Sequence, residues 1–139
     1  MLALQHLHKN GYLHCNLKPS NILVDEYGNI RLCDFKKALR ANSITPIDIK
    51  KNKAAMTPCY TAPELFSEDG SYNFKTDLWA LGCIMYEMAV GQVPFFDENV
   101  RSLINKIIYD DVNFNKKEII FRQNTRTSHI MFIKSGLCI

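Results

Sequence analysis

The stretch FKTDLWALGCIMYEMAVG, residues 74–91, constrains the fold of this chain more than any other segment. Leu78, Leu81, Met85 and Met88 recur at spacings of three, four and three, which makes one stripe of a helical period. Ala80, Cys83, Ile84 and Ala89 render much of the remaining circumference apolar too. A helix that is apolar on nearly every side belongs in the middle of a core, so the rest of the chain is expected to wrap around it. Thr76 or Asp77 is the expected cap, and Gly91 with Pro94 the stop. The longest apolar-plus-glycine run, Leu78 to Tyr86, has nine residues and is too short to cross a bilayer.

The other segments are read around that helix. LALQHLHKNG is helical, with Leu4 and Leu7 three apart and Asn10-Gly11 as the stop, and it starts inside its pattern without a cap. NILVDEYGNIRLCDF reads as a hairpin: Ile22 and Val24 alternate on one strand, Ile30 and Leu32 on the other, and Gly28 supplies positive φ in the turn. At least one face of so apolar a hairpin should be covered. Residues 36–58 show no period and are expected to form a long loop. DENVRSLINKIIYDD is an amphipathic helix with Val100, Leu103, Ile104 and Ile107 on one side. After Phe114 the apolar bursts are short and the period is lost.

Length and composition fit a single globular unit. A chain of 139 residues buries about 68–70% of its unfolded surface. The net charge of +3 is too small to argue nucleic-acid binding by the whole chain. The charge is uneven, however. Lys36, Lys37, Arg40, Lys50, Lys51 and Lys53 face one acid, Asp48, and read either as a solvated loop or as a docking surface for an acidic partner. Five cysteines (Cys15, Cys33, Cys59, Cys83 and Cys138) are widely spaced without a C-x-x-C. That argues against a disulfide framework or a zinc site and for a reducing compartment. The first ten residues lack the features of a signal peptide.

HCNLKPSNILVDEYGNIRLCDFKK, residues 14–37, carries the chemistry. A tight loop holds His14, Asn16, Lys18 and Asn21, and the hairpin returns Asp34 to the same end. An amide oxygen and a carboxylate suit a hard cation such as Mg²⁺. Lys18 offers a point charge for phosphate oxygens, so the group outlines a metal–nucleotide site.

These residues resemble the catalytic loop and metal-binding hairpin of eukaryotic protein kinases. The family pattern H-R-D-L-K-P-x-N meets HCNLKPSN, and D-F-G meets DFK. TPCYTAPELF resembles the end of the activation segment, with A-P-E at Ala62, Pro63 and Glu64. DLWALGCIMYEMAVGQVPF resembles the central buried helix and the loop after it. Phrase by phrase the chain is most similar to the Unc-51-like/Fused group and its atypical, RUNKEL-type branch. Members of that branch are regarded as pseudokinases or weak kinases associated with microtubules and cilia.

The resemblance implies a mainly α, α+β fold: a kinase-like C-lobe with a small β-hairpin at the catalytic loop and no N-lobe. Residues 1–114 would form a partial kinase domain, and residues 115–139 a tail unlike a kinase, disordered or left by truncation. It implies that Asn16 stands at the catalytic-base position, that Lys18 steadies the transferring phosphoryl, and that Asn21 and Asp34 hold Mg²⁺ and, through it, nucleotide. His14 and Phe35 match the internal hydrophobic stack. Asp77 matches the carboxylate that holds the catalytic-loop backbone. Thr57 matches a threonine whose hydroxyl bridges the catalytic loop in serine/threonine kinases. Ser43 and Thr45 are candidate phosphorylation sites in a basic loop.

The departures matter equally. An amide at Asn16 has no useful basicity, and general-base catalysis contributes about 10²–10⁴-fold. Lys36 replaces the motif glycine; it adds a Cβ, restricts positive φ, and brings an ammonium that either competes with the metal or points to solvent with Lys37. No G-x-G-x-x-G and no V-A-I-K-type lysine precede the loop. Glu64 is expected to lack its usual buried arginine.

The sequence thus leads to three expectations. The first is a pseudokinase or strongly impaired kinase that acts as a binding or scaffold module. It would present the activation segment and the Val100–Ile107 helix to protein partners, with microtubule association implied by the resemblance alone. The second is Mg-ATP-dependent serine/threonine phosphotransfer in a complete form of the protein. The third is a truncated fragment without function. This chain alone is expected to bind no cofactor, nucleic acid or membrane, and to be cytoplasmic or cytoskeleton-associated.

Overall fold

A computed structural model describes residues 2–112. The proposed tail, residues 115–139, lies outside the described residues, as does Phe114. Among the described residues the fold is α+β, with four helices and two short antiparallel strand pairs. In chain order these are α1 (Leu2–Lys9), β1 (Tyr12–Leu13), β2 (Ile22–Val24), β3 (Ile30–Leu32), β4 (Leu39–Arg40), α2 (Pro46–Lys53), α3 (Phe74–Val90) and α4 (Val100–Tyr109).

The hairpin forms where the alternation put it. β2 pairs with β3 in the register Ile22 to Leu32 and Val24 to Ile30. Its turn is built by Asp25, whose Oδ1 accepts from the backbone N–H of Tyr27 (3.0 Å) and Asn29 (2.8 Å). Gly28 takes φ 82°, as the turn requires. Ile22 and Leu32 pack onto the core, whereas Leu23 and Val24 stay exposed.

The long helix is α3, and its inward face differs from the expected stripe. Thr76, Asp77, Ala80, Cys83 and Ile84 are buried, while Leu78 is 52% and Met85 47% exposed. The small Ala80 and Cys83 let neighbouring segments come close, and Asp77 faces inward because it serves the loop beside it. Of the expected stripe, Leu81 and Met88 pack against the core and Leu78 and Met85 do not. Its cap is Asn73, not Thr76 or Asp77: the Asn73 side chain accepts from the Lys75 N–H (2.8 Å) and the Thr76 hydroxyl accepts from the Asn73 N–H (3.1 Å). Gly91 closes the helix in the left-handed region, at φ 87°.

Residues 36–58 are not a bare loop. β4 pairs with β1, Leu39 opposite Leu13, and α2 follows. α2 has almost no apolar periodicity and rests on its start signal. Thr45 and Asp48 form a reciprocal capping box, and Pro46 occupies the first turn.

Three apolar clusters surround α3. Leu4, Leu17, Ala80 and Ile84 form the first. Leu13, Leu65 and Tyr72 form the second, covered by Leu39, Ile44 and Ile49. Phe95, Leu103 and Ile107 form the third, against Cys59, Phe66 and Trp79. α4 therefore turns Leu103 and Ile107 inward, and Val100 stands 56% exposed. Leu103 and Ile107 of this helix are thus spent inside the fold.

Candidate active site

The segment between β1 and β2 is held from beneath by one buried carboxylate. Asp77 Oδ2 accepts from the His14 N–H (2.8 Å), and Oδ1 from the Cys15 N–H (2.9 Å). His8 Nε2 lies 2.8 Å from the same Oδ2. These bonds fix a loop whose Cys15 takes φ 59°, a left-handed conformation uncommon for a residue with a side chain. Burial pushes the Cys15 thiol well above its ordinary range, and the Asp77 charge pushes it further. It is therefore a packed thiol and not a reactive one.

His14 is fully buried. Its Nε2 donates to the carbonyl of Cys33 (3.0 Å), and its Nδ1 accepts from the Asn16 N–H (3.3 Å). A carbonyl can only accept and a backbone N–H only donate, so the two partners set the tautomer. Phe35 packs tilted against this ring, with centroids 5.0 Å apart and planes at 54°. It is 48% exposed, so the stack has one open side among the described residues.

Asn16, Asn21 and Asp34 come together. Asn16 Nδ2 donates to Asp34 Oδ2 (3.0 Å). Asn21 Nδ2 donates to the Asn16 carbonyl (2.8 Å) and more weakly to the same Asp34 oxygen (3.5 Å). Asp34 takes φ 62°, which turns its carboxylate toward the loop. Its Oδ1 is buried without a partner among the described residues. An orphaned carboxylate oxygen is costly unless a cation or donor reaches it. Asn21 has both donor contacts on its nitrogen, which leaves its amide oxygen for a second oxygen ligand. This donor set fits Mg²⁺. No group of three His, Cys, Asp or Glu suited to a metal occurs among the described residues, so any metal held here would complete its shell from elsewhere.

The lysines sort differently from the sequence expectation. Lys36 is exposed and lies in the short helical turn Phe35–Lys37, at negative φ. The position therefore needs no glycine in this conformation, and Lys36 takes the solvent-facing alternative. Lys37 is the one that turns in. Its Nζ donates to the Ala55 carbonyl and to Asn16 Oδ1 (3.4 Å). Burial lowers its pKa and the neighbouring Lys18 charge lowers it further, while Asp34 acts in the opposite sense. Lys18 is thus electrostatically in the same group. Sequence reasoning missed Lys37 because nothing in DFKKAL distinguishes one lysine from the next.

Thr57 lines a narrow cavity of about 30 Å³ with Asn16, Thr61 and Tyr72. Its carbonyl accepts from the Thr61 hydroxyl (2.9 Å), and among the described residues its own hydroxyl makes no hydrogen bond to the loop. Glu64 is half-buried and accepts from the Thr76 hydroxyl at 3.4 Å; among the described residues no basic side chain pairs with it. Gly70 crosses directly over this segment, where a Cβ would lie 1.7 Å from the Glu64 carbonyl oxygen. Thr45 spends its hydroxyl on Asp48 (2.7 Å), and Ser43 donates to the Arg40 carbonyl (3.4 Å). A wider, mostly apolar cavity of about 490 Å³ lies between α1 and α3, lined by Leu4, His8, Phe74, Leu78 and Leu81; of the polar residues described above it touches His8 alone. No helix among the described residues is long and apolar enough to cross a membrane.

A loop pinned by a buried aspartate, a hairpin that returns a second aspartate to it, and a lysine and two asparagines near that carboxylate form one polar cluster at the end of the hairpin. The chain belongs to the protein kinase domain family, whose match covers residues 1–138. It is 43% identical over 110 residues to the serine/threonine-protein kinase RUNKEL of Arabidopsis thaliana, a match covering 79% of this chain and 8% of that protein. It is 40% identical over 116 residues to the serine/threonine-protein kinase SCH9 of Saccharomyces cerevisiae, covering 82% of this chain and 13% of that protein. Serine/threonine-protein kinase 36 of Mus musculus is 40% identical over 114 residues, 81% of this chain and 8% of that protein. The chain thus spans about a tenth of the length of these relatives.

Proposed function

We propose that this chain is the catalytic-loop lobe of a serine/threonine-type protein kinase domain whose phosphotransfer is strongly impaired, and that it acts as a binding module for protein partners. The observation that carries this reading is the amide of Asn16. Its nitrogen is committed to Asp34 and its oxygen to Lys37. A carboxamide in that place can accept a hydrogen bond from an alcohol but cannot take its proton at neutral pH. The surface offered to partners is the activation segment with its basic residues Arg40, Lys50 and Lys51, rather than the apolar face of α4. An association with microtubules rests on resemblance alone.

A second reading is Mg-ATP-dependent phosphotransfer by a complete form of the protein. The orphaned Asp34 Oδ1 beside Asn21 favours it. In that form Asn21 and Asp34 hold the cation and Lys18 sits by the transferring phosphoryl. Bound Mg-ATP would supply the phosphoryl group and the charge that offsets its oxygens. Asn16 would orient the acceptor hydroxyl without removing its proton.

The deciding experiment joins the chain to a nucleotide-covering lobe and measures transfer of labelled γ-phosphate with Asn16 and with Asn16→Asp. The substitution is expected to raise the rate by about 10²–10⁴-fold, the usual worth of a positioned base. An Asn16 form that already works at 1–100 s⁻¹, the ordinary rate range of protein kinases, would overturn the impaired reading.

A further inference from the structure

Tyr72 is 4% exposed, and its hydroxyl is sealed from bulk solvent without a hydrogen-bond partner among the described residues. A buried hydroxyl left in that state is costly, and native folds satisfy such groups with protein atoms or with ordered water. Burial pushes the Tyr72 hydroxyl above its ordinary range, and the neighbouring Cys15 and then Asp77 push it further. It therefore stays an O–H donor that needs an acceptor. One lies nearby. Asp77 Oδ2 takes the His14 N–H and the His8 contact, whereas Oδ1 takes the Cys15 N–H. Asp77 is close enough for its charge to be felt at Tyr72, yet the two side chains share no hydrogen bond. Both line the narrow cavity of about 30 Å³, as does Thr61. Thr61 is buried, and its hydroxyl gives its proton to the Thr57 carbonyl (2.9 Å), which leaves the hydroxyl oxygen able to accept.

We propose that this cavity binds one ordered water, held by the Tyr72 hydroxyl, by Asp77 Oδ1 and by the hydroxyl oxygen of Thr61. The water accepts from the Tyr72 O–H and donates one proton to each of the other two, which makes the usual complement of about three bonds. Size favours the assignment. A volume of about 30 Å³ exceeds the roughly 10–15 Å³ that one water needs and is far below the roughly 300 Å³ at which small-molecule pockets begin. The lining favours it too. A wholly apolar cavity stays dry, but here Thr61, Tyr72, Thr76 and Asp77 stand beside Leu17 and Leu65. A water that bridges two polar groups is nearly as good as a direct bond between them. This one adds a donor to the carboxylate that holds the His14 and Cys15 N–H groups, and it ties that carboxylate to the residues just before α3. The inference concerns a solvent site in the fold and holds whether or not phosphate is transferred.

The test uses the whole 139-residue chain. Tyr72→Phe keeps the ring and removes only the hydroxyl. The first readout is the oxygen-17 relaxation dispersion of the solvent, which counts waters held longer than surface water and is blind to exchanging hydroxyl protons. The parent chain is expected to hold one more such water than Tyr72→Phe. The second readout is the urea midpoint, whose direction of change is decisive. A hydroxyl bonded to water loses that bond when it is removed, so Tyr72→Phe should lower the midpoint, with the folding constant down by about fivefold, the worth of one hydrogen bond. A hydroxyl with no partner destabilises the fold, and its removal would raise the midpoint instead. Equal water counts in the two chains overturn the proposal, and so does a raised or unchanged midpoint. Should Tyr72→Phe not fold, Thr61→Val removes the water's second hydroxyl at nearly constant shape. It must then show the same loss of one water, and an unchanged count overturns the proposal. Neither readout depends on phosphotransfer or on Asn16, so a defeat here is distinct from a defeat of the impaired-kinase reading.

Discussion

Asp77 ties the loop after β1 to α3, and it does so through the backbone. Two N–H groups of the loop between β1 and β2, those of His14 and Cys15, end on its oxygens. A buried donor left without its acceptor costs about 1–3 kcal/mol. Asp77→Ala is therefore expected to destabilise the chain by about 2–5 kcal/mol, read as a fall in the urea midpoint, and to free the left-handed Cys15. An unchanged midpoint would show that solvent replaces the carboxylate. Asn16 behaves in the opposite way. Asn16→Asp would set a second carboxylate against Asp34 where the amide now donates at 3.0 Å. Like charges at that distance cannot both stay ionised cheaply. Without a divalent cation the variant should melt lower than the parent chain, and millimolar Mg²⁺ should recover part of the difference. A variant as stable as the parent in a chelator would contradict this. Both residues were legible from the sequence as a pair of positions, because the spacing from HCN to DFK and the aspartate opening the long helix are local patterns. What the sequence could not supply was their partners. That Lys37 and not Lys36 meets Asn16 depends on a helical turn at residues 35–37, and that Asn52 caps the arrangement depends on a helix read as loop.

The elements show the same division between periodic and local signals. α3, α4 and the β2–β3 hairpin were readable because burial imprints a period of 3.6 or 2 on the sequence. α2 was not, because it buries too little to imprint a period: Asn52 is buried and Ile49 is packed on the Leu13–Leu65–Tyr72 cluster. Its signature was present in another form, as Thr45-Pro46 followed by Asp48, a start signal that needs no apolar stripe. β1 and β4 escaped because two residues are too few to show alternation. A helix that rests on its cap should respond to loss of that cap. Asp48 is held below its ordinary carboxylate range chiefly by the Thr45 side chain and then by the Thr45 N–H. A lowered folded pKa means that this contribution is complete above the ordinary value of 3.8 and disappears as pH falls through the lower folded value. Exchange across residues 46–53 should therefore be flat from pH 8 to pH 5, once corrected for the intrinsic rate, and rise in stronger acid. Thr45→Ala should raise it by roughly fivefold at neutral pH, as expected for a lost N-cap, and weaken the acid dependence to what the residue-45 N–H alone supports. An acid response undiminished in Thr45→Ala would assign it to other carboxylates.

Across the described residues, α3 stands between two apolar clusters, and the turn at residues 58–60 reaches both. Ala80 and Ile84 belong to the cluster with Leu4 and Leu17, whereas Trp79 stacks on Phe95, with centroids 6.2 Å apart and planes 3° from parallel, in the cluster with Leu103 and Ile107. The turn repeats this division, since Cys59 joins the second of these groups and Tyr60 the first, with the Tyr60 hydroxyl donating to Glu87 on α3 (2.7 Å). A rigid helix between two close-packed groups should let each repack without informing the other, because substitutions without shared partners add to within about 0.5 kcal/mol. Removing one methylene in each group keeps the test inside the stability of a small domain, at about 0.5–1.5 kcal/mol per site. Ile84→Val with Ile107→Val is expected to cost the sum of the single variants in urea denaturation. Ile107→Val with Phe95→Leu, two changes within one cluster, should depart from its sum. If the pair across α3 is the non-additive one, the helix shifts as it is unpacked and carries strain from one side to the other. The catalytic loop, anchored to α3 through Asp77, would then feel changes made at α4.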